Sequence, residues 1–318
     1  MDNKKINFIP NKTHFLLDSG DPEEYDEIGK LAKVRGSEIW GSTTNPSLIA
    51  KKLSSENKRL TTKEAFKLQK QIVMQIVQIV PGPVSAEVYA DHTTSSKNMI
   101  KQGQEISTWH ERVVVKLPTT IEGFKARTEL RKKGICTNNT LVFSQQQIFA
   151  ICLHEQLIQK KYGPTNNIYP PFISPFVGRL DDIGQNGMQL VDNGMQIKEH
   201  FKTYLSKLPF SIWMLEASVR SIDHIKLGIL AKSELITAPA KLYKEWFALS
   251  NKEQESAPDK INSTLRELEY WQAPSEINGI DSLDKLFEAI TTNRLNVLHE
   301  LTNQGIDKFV ADWKNILS

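Results

Sequence analysis

The sequence of 318 residues predicts an α/β protein with the fold of a (β/α)8 TIM barrel and additional C-terminal helices. Three observations support this prediction. Eight short apolar or β-branched runs recur along the chain, and a helical pattern follows each run, which is typical of parallel strands joined by crossover helices. The length suits one large barrel-type domain or two ordinary domains. No Gly-x-Gly-x-x-Gly motif follows the first strand, which disfavours an open dinucleotide-binding sheet, the main alternative.

The predicted strands are short. The fourth is apolar on both faces apart from Lys116 and is followed by Pro118, which predicts a strand buried on both sides. In chain order, the predicted strands are Phe15–Leu17, Glu38–Trp40, Val84–Val88, Arg112–Leu117, Asn139–Phe143, Phe172–Val177, Ser211–Leu215 and Leu235–Ala238.

Several of the intervening helices have clear boundary signals. Asp21 followed by Pro22 predicts an N-cap and a first helical position, and that helix carries Ile28 and Leu31 on one face before it stops at Gly36. Two further helices are expected, one from Thr61 to Val80 and one that begins after Thr119-Thr120 and ends at Gly134.

We expect one domain over residues 1–318, with the barrel at about 14–250 and a helical extension at about 251–318. Asn251–Ala257 is polar and predicts a loop, and Ala273–Ser275 is a second break. Helical patterns between and after these breaks predict helices packed on the barrel, which would shape its mouth, plug its bottom or form an oligomer contact. The predicted helices contain Leu265 and Leu268, then Leu283, Leu286, Phe287 and Ile290, and finally Phe309, Val310, Trp313 and Ile316.

The composition is that of an ordinary globular protein, with 39% hydrophobic and 24% charged residues. A net charge of +3 without a basic stripe argues against a nucleic-acid partner. Two cysteines, Cys136 and Cys152, and seven scattered histidines give no metal-ligand pattern, so no metal or other cofactor is expected. No apolar segment follows the basic N-terminus, and the stretch 71–80 is too short to span a bilayer, which predicts a cytoplasmic protein without a membrane partner.

Lys116 is the first candidate for chemistry, because it stands near the end of a predicted buried strand. Desolvation disfavours the ammonium form, so its pKa is expected to fall toward the range in which the amine attacks carbonyl groups and forms a Schiff base. The alternative is a lysine just beyond the strand, with its stem on the barrel rim and its amine in water.

Polar residues at the other predicted strand ends strengthen the catalytic interpretation, because barrel enzymes place their sites at the carboxyl ends of the strands. Each has an ordinary alternative, such as a turn, a local hydrogen bond or an ion pair. Their gathering at one end of the barrel predicts a site, since buried polar groups are costly. These residues are Asp18, Asn45, Glu87, Asn138, Thr140, Ser174, Arg179, Ser218 and Arg220.

With these residues in place, the chain resembles the transaldolases, in the family's order and across roughly residues 14–240; the C-terminal helices are similar to those of longer members. The most specific stretches are Thr43-Thr44-Asn45-Pro46-Ser47-Leu48 and Ser174-Pro175-Phe176-Val177-Gly178-Arg179. The likeness extends over 17–21, 84–88, 115–117, 134–144, 217–220 and 238–239.

The resemblance implies a class I aldolase-type barrel that needs no metal. It also implies transfer of a dihydroxyacetone unit between sugar phosphates in the pentose phosphate pathway: sedoheptulose 7-phosphate and glyceraldehyde 3-phosphate give erythrose 4-phosphate and fructose 6-phosphate. By the same likeness Lys116 forms the Schiff base, Glu87 moves protons with a water held by Thr140, and Asp18, which stays ionised, is the base for carbon–carbon cleavage. Asn45, Asn138 and Ser174 would hold the hydroxyls of the three-carbon unit, and Arg179, Arg220 and Ser218 would bind the substrate phosphate.

Three alternatives stay open beside transfer. Fructose-6-phosphate aldolases resemble transaldolases but carry Tyr at the position of Phe176 and Gln at that of Glu87, so a phenylalanine here favours transfer over release of free dihydroxyacetone. An arginine pair also accepts a sulfonated sugar, and a non-catalytic barrel would have lost the lysine or an acid. The oligomeric state is open, a homo-oligomer included.

The chain departs from the commonest family pattern at Tyr89-Ala90-Asp91, in the longer segment 160–171, and at Glu216. These departures bear on acceptor preference and efficiency more than on the Schiff-base chemistry. A carboxylate at position 216 would weaken phosphate binding unless it points away from the site.

Overall fold

The computed structural model describes residues 9, 12–54, 59–163, 168–205, 212–258 and 264–318. Its eight strands form a closed parallel barrel in sequence order, with the first strand paired to the last. The predicted (β/α)8 barrel with extra helices is therefore confirmed. The strands are β1 His14–Asp18, β2 Ile39–Thr43, β3 Val84–Glu87, β4 Val113–Pro118, β5 Thr137–Val142, β6 Phe172–Pro175, β7 Trp213–Glu216 and β8 Leu235–Ala238. Ser211, predicted to begin the seventh strand, lies outside the described residues.

Helices follow every strand, and four more follow the barrel. None of them, within the described ranges, combines the length and the apolar character that a membrane crossing requires. The barrel helices are α1 Pro22–Val34, α2 Pro46–Ser54, α3 Thr62–Ile79, α4 Ser96–Ser107, α5 Ile121–Lys132, α6 Gln145–Tyr162, α7 Val177–Asp181, α8 Gly187–Leu205, α9 Ile222–Leu230 and α10 Ala240–Ala248. The C-terminal helices are α11 Asn251–Glu255, α12 Ser275–Asn278, α13 Leu283–Thr291 and α14 Glu300–Lys314.

The predicted N-cap of α1 is confirmed, since the carboxylate of Asp21 accepts a hydrogen bond from the Glu23 amide at 3.1 Å. The predicted apolar face of α1 is only half right. Ile28 is fully buried, but Leu31 is 38% exposed. The buried face of α1 runs through Tyr25, Ile28 and Ala32, at spacings of three and four residues, and position 31 lies to one side of it.

Two expectations for the C-terminal extension were wrong. Residues 251–255, predicted as a loop, form the short helix α11, because Ser250 and Glu253 make a reciprocal capping box. The helix expected through Leu265 and Leu268 is absent from the described segment 264–274, which is irregular. Side-chain amides hold this segment in place: Gln145 of α6 bonds the backbone at Glu269 and Trp271, and Asn193 of α8 bonds the Leu268 carbonyl. The predicted helices α13 and α14 are confirmed.

Aromatic side chains fill the amino-terminal half of the barrel interior. Phe172 stacks on Trp213 with ring centroids 5.5 Å apart, and Trp40 lies 5.9 Å from the Trp213 ring. Tyr169 closes the cluster against Trp40. Because large rings occupy this end, polar groups that point inward have room only at the carboxyl ends of the strands.

Helix α14 lies against those carboxyl ends. At Gly305 the helix backbone approaches β5 so closely that a Cβ atom would stand 2.5 Å from Leu141 Cδ2. Thr302 Oγ1 donates a hydrogen bond to the Leu141 carbonyl at 2.9 Å, and Leu141 itself adopts a left-handed φ of 57°. Farther along α14, Asp312 accepts a hydrogen bond from Ser47 of α2. Of the three roles considered for the C-terminal helices, α14 takes the first: it shapes the mouth.

Candidate active site

Lys116 lies inside the barrel, with its amine 3.1 Å from Glu87 Oε2. Only 4% of either side chain is exposed. The amine also donates a hydrogen bond to the Thr44 carbonyl at 3.2 Å. A lysine with its amine in water on the rim, the alternative considered from the sequence, is therefore not what the structure contains.

The alternation of a β-strand explains this placement. Along β4, Val113, Val115 and Leu117 pack in the cluster between barrel and helices, whereas Val114 belongs to the interior cluster. Lys116, two residues beyond Val114, consequently points inward. The register pairs Lys116 with Glu87 on β3 and with Asn138 on β5, which brings these three residues to one level of the barrel.

Asp18 ends β1 on the other side of the same interior. Its carboxylate accepts a hydrogen bond from Thr43 Oγ1 at 2.7 Å, and the Thr43 hydroxyl is in turn 2.6 Å from that of Thr237 on β8. Burial raises the pKa of Asp18, while the charge of Lys116 and the Thr43 hydrogen bond act in the opposite direction.

Burial likewise raises the pKa of Glu87. Lys116 opposes this rise through its charge and hydrogen bond, and the negative charge of Asp18 adds to it. The two acids therefore share the ammonium group but differ in their other neighbours, because Asp18 has a hydroxyl donor where Glu87 has only the repulsion of Asp18. The expected division of labour, an ionised Asp18 and a proton-cycling Glu87, stays a prediction.

Three of the predicted hydroxyl-binding groups lie near this centre. Asn138 donates to Ser85 Oγ at 3.1 Å and accepts from Ser174 Oγ at 2.6 Å. Asn45 Oδ1 accepts a hydrogen bond from the Leu48 amide at 2.9 Å, so this oxygen caps α2, as the ordinary turn interpretation predicted.

Thr140 is fully buried on β5, at the position paired with Pro118. Its hydroxyl has no hydrogen-bond partner among the described residues, although a buried hydroxyl without a partner costs free energy. The predicted role of Thr140, to hold a water for proton transfer, requires a free hydroxyl of this kind.

A cavity of about 200 Å³ opens at the carboxyl ends of the strands, and α14 forms part of its wall. Lys116, Asp18 and Ser174 border it, and so do Arg179 and Ser218. Ser218 adopts a left-handed φ of 59°. The full lining is Asp18, Thr43, Asn45, Ser47, Leu48, Lys116, Ser174, Phe176, Arg179, Leu215, Ala217, Ser218, Thr237, Lys308 and Phe309.

Arg220 departs from its predicted place. It forms a bidentate pair with Asp182, with both nitrogen–oxygen distances at 2.8 Å, and does not border the cavity. Half of its side chain is exposed. The structure therefore contains an ion pair at the surface, which was the ordinary alternative for Arg220. This pair forms because Asp182, directly after α7, lies within reach of the guanidinium group.

Eight residues that border the cavity were not among the predicted site residues: Thr43, Ser47, Leu48, Leu215, Ala217, Thr237, Lys308 and Phe309. Phe309 had a signal, since it belongs to the predicted apolar face of the last helix, but that signal indicated packing only. Among the described residues, no group of three or more His, Cys, Asp or Glu is arranged to hold a metal ion.

Glu216 points away from the cavity. Its neighbours Leu215 and Ala217 line the cavity, whereas Glu216 lies against α9, where a Cβ atom on Gly228 would stand 1.8 Å from Glu216 Oε2. Neither carboxyl oxygen has a hydrogen-bond partner among the described residues. Burial, with the charges of Asp192 and Asp181, raises its pKa well above the ordinary range. Because Glu216 is turned to the helix layer and does not border the cavity, it does not face an anion bound there.

Comparison with known sequences places these features in a family. The profile of the Transaldolase/Fructose-6-phosphate aldolase family matches residues 15–318. A protein named "Probable transaldolase" from Brevibacillus brevis is 36% identical over 302 residues, which cover 95% of this chain and 98% of that protein. Proteins of the same name from Geobacter metallireducens and Methanococcus vannielii are 36% and 33% identical, over 71% and 94% of this chain and 86% and 96% of theirs. With a family match that begins in β1 and runs to the last residue, the chain belongs to the transaldolase/fructose-6-phosphate aldolase family.

Proposed function

We propose that the protein is a transaldolase that moves a dihydroxyacetone unit from sedoheptulose 7-phosphate to glyceraldehyde 3-phosphate through a Schiff base on Lys116. The products are erythrose 4-phosphate and fructose 6-phosphate, and the reaction belongs to the pentose phosphate pathway of the cytoplasm. One observation carries this proposal: the buried Lys116 amine lies 3.1 Å from Glu87 Oε2 and donates to the Thr44 carbonyl, and Lys116 borders a cavity that Arg179 also borders.

The pair of Lys116 and Glu87 supplies the proton transfers that imine formation needs. Glu87 takes a proton from the ammonium group, helped by the burial that raises its pKa, and the neutral amine attacks the ketose C2 carbonyl. A second N–H proton moves to the C2 oxygen to give the carbinolamine, and Glu87 then returns its own proton to the C2 hydroxyl, which leaves as water. The nitrogen keeps its bond to C2 and becomes an iminium. Thr140, with its free hydroxyl, would orient the water of this step.

Asp18 serves as the base for cleavage. It removes the proton of the C4 hydroxyl, the C3–C4 bond breaks, and its electron pair moves into the iminium to give an enamine and a free aldehyde. Asp18 then holds the proton that the new C4 oxygen needs when an acceptor aldehyde adds to the enamine. The Thr43 hydroxyl, itself 2.6 Å from Thr237, fixes the orientation of Asp18 between these two steps.

The remaining groups hold the substrate. Ser174 and Asn45 border the cavity beside Lys116, and Asn138 orients Ser174 from behind, so hydroxyls of the three-carbon unit have partners there. Arg179 and Ser218 would bind the phosphate, with Arg220 joining when it leaves Asp182.

A fructose-6-phosphate aldolase is the second candidate, because the family contains both activities. Phe176 borders the cavity and has no hydroxyl, and Glu87 stands where the aldolases that resemble this chain carry Gln. Without a phenol near Lys116, the enamine has one acid fewer to protonate it, which favours transfer over release of dihydroxyacetone.

The two candidates separate in one assay. Fructose 6-phosphate is supplied with and without erythrose 4-phosphate, and glyceraldehyde 3-phosphate formation is followed through a coupling enzyme. Transfer predicts sustained turnover only when the acceptor is present. Sustained turnover without acceptor would make the protein an aldolase, and absence of turnover in both reactions would overturn the proposal for phosphorylated sugars.

A further inference from the structure

Two further cavities border Glu87 on the outer side of the barrel mouth. A groove of about 680 Å³, called here the outer groove, lies between α3 and α4, and its wall includes Gln69, Glu87, Tyr89 and Trp313. Beside it is a cavity of about 10 Å³, close to the smallest space that holds one water molecule, and Glu87 and Tyr89 border both this cavity and the outer groove. Water in the outer groove thus has a route to the proton-transferring acid that does not pass through the sugar cavity.

Phe309 stands between this route and Lys116. It borders both the small cavity and the sugar cavity, and it is the one described residue that the two linings share. Its ring centroid lies 5.9 Å from the Lys116 amine, which is within the range of a cation–π contact. An apolar ring at this place separates the small cavity from the sugar cavity that Lys116 borders.

Three contacts fix the helix that carries this ring. Near its first turns, Gly305 of α14 packs closely on Leu141. Asp307 lies 2.8 Å from His92 of the β3–α4 loop, and Asp312 accepts from Ser47 of α2. Because these contacts join α14 to three separate parts of the barrel mouth, the ring of Phe309 is held in position.

We propose that Phe309 is a specificity-determining residue that keeps outer-groove water from protonating the enamine on Lys116, so that α14 decides between transfer and release of dihydroxyacetone. The inference rests on the proposed function, because it concerns the fate of the enamine on Lys116. Release begins when outer-groove water gives a proton to C3 of the enamine and takes up the proton that Asp18 removed from the C4 hydroxyl, which leaves an iminium. A water then adds to C2 and gives a proton to Glu87, which passes it to the carbinolamine nitrogen. The C2 hydroxyl gives its proton to Glu87 as C2 becomes a carbonyl, the carbon–nitrogen bond breaks with its electron pair going to nitrogen, and dihydroxyacetone leaves. The Lys116 amine takes this last proton from Glu87 and is again an ammonium group.

Phe309→Ala tests this directly. With fructose 6-phosphate as donor, the rate of dihydroxyacetone release without acceptor is divided by the rate of transfer to erythrose 4-phosphate. We expect this ratio to rise about tenfold or more in Phe309→Ala, since water exclusion protects reactive intermediates, and to rise less in Phe309→Leu, which keeps part of the apolar wall. Val310→Ala is the matched control, because Val310 borders the small cavity but not the sugar cavity.

Thermal unfolding of each variant separates a folding defect from a change in the fate of the intermediate. If Phe309→Ala does not fold, the ratio is measured in Phe309→Leu instead. A purely structural role of Phe309 would slow release and transfer together and leave their ratio unchanged. An unchanged ratio in a folded variant, or an equal rise in Val310→Ala, overturns the inference alone. A wild-type protein that releases dihydroxyacetone at the same rate with and without acceptor overturns the proposed function, and the inference with it.

Discussion

Glu87 and Lys116 occupy paired positions on β3 and β4, and their side chains meet 3.1 Å apart inside the barrel. Both are almost fully buried, so the charge of each depends on the other. The carboxyl group of Asp18 also responds to the same ammonium group. The site is therefore one coupled unit of two acids and one base, assembled from three strands.

Removal of the cation in this unit should make stability depend on pH. In Lys116→Met, which keeps most of the stem volume, burial is no longer opposed by a positive charge, so the folded-state pKa values of Glu87 and Asp18 rise further. The unfolded chain loses these protons near their ordinary pKa values, and the folded variant retains them to higher pH. The variant therefore loses stability, relative to the wild type, as pH rises above about 4.5.

We expect a cost of about 3–5 kcal/mol at pH 8, the usual range when one partner of a buried ion pair is removed, and a clearly smaller cost at pH 5. Urea denaturation at the two pH values measures it. A cost that is equal at both would show that Lys116 does not hold the charges of the two acids.

Phe176→Tyr should shift the reaction toward release. Phe176 borders the cavity, and its ring packs edge-on to Phe143 with centroids 5.6 Å apart, so a tyrosine ring fits the same site. A hydroxyl there adds an acid that can protonate the enamine, and general acid catalysis contributes about 10²-fold or more. We expect acceptor-independent dihydroxyacetone release to increase, measured with a ketone-specific coupling enzyme. If release stays at the wild-type rate, the assignment of position 176 fails.

Arg179 should contribute far more to phosphate binding than Arg220. Arg179 borders the cavity, whereas Arg220 is paired with Asp182 at the surface. Charge-assisted hydrogen bonds contribute about 1.5–3 kcal/mol, so Arg179→Ala should raise KM for fructose 6-phosphate by about 10- to 100-fold. Arg220→Ala should raise it several-fold at most.

Asp182→Asn provides a second comparison, because it releases Arg220 from its bidentate partner. If Arg220 binds phosphate when free, this variant lowers KM, and the effect disappears in the double variant with Arg220→Ala. A KM that rises equally in Arg179→Ala and Arg220→Ala would show that both arginines reach the phosphate equally in solution.

Glu216 should be a liability for stability at neutral pH. Its pKa in the folded protein is raised well above 4.5, so the folded chain keeps a proton that the unfolded chain loses. Stability therefore falls as pH rises from about 4.5 toward the folded-state pKa. Glu216→Met, of similar volume, removes the buried oxygens without partners and should stabilise the protein by about 1–3 kcal/mol at pH 8, with less gain at pH 5.

Denaturation curves of the wild type and Glu216→Met at pH 5, 6.5 and 8 measure this difference. Transfer activity serves as the control, because Glu216 faces α9 and not the cavity. A variant that is less stable at every pH would mean that the carboxyl group has a stabilising partner.

The parts of this structure that the sequence predicted are those that local patterns determine. Alternation along a short buried strand orients Lys116 and Ser174 inward, and the position after a strand places Asp18 at the carboxyl end. Caps such as Asp21 and Thr61 fix helix starts within a residue, because their hydrogen bonds are local.

Contacts between residues that lie far apart in the chain could not be predicted in this way. The hydroxyl contact of Thr43 with Thr237 exists because β1 pairs with β8, which joins residues 194 positions apart. Arg220 lies on a loop, where a side chain selects among partners that only the folded chain brings near. Phe309 carries an apolar pattern that indicates a buried face, and the docking of α14 determines what that face covers.

The central claim is a Schiff base on Lys116, and borohydride trapping tests it most directly. The protein is treated with sodium borohydride in the presence of fructose 6-phosphate, digested, and analysed by peptide mass spectrometry, with Lys116→Ala as the control. We predict one reduced three-carbon adduct on the peptide that contains Lys116, and no adduct in folded Lys116→Ala. An adduct on another lysine, or turnover that persists in Lys116→Ala, would contradict the account.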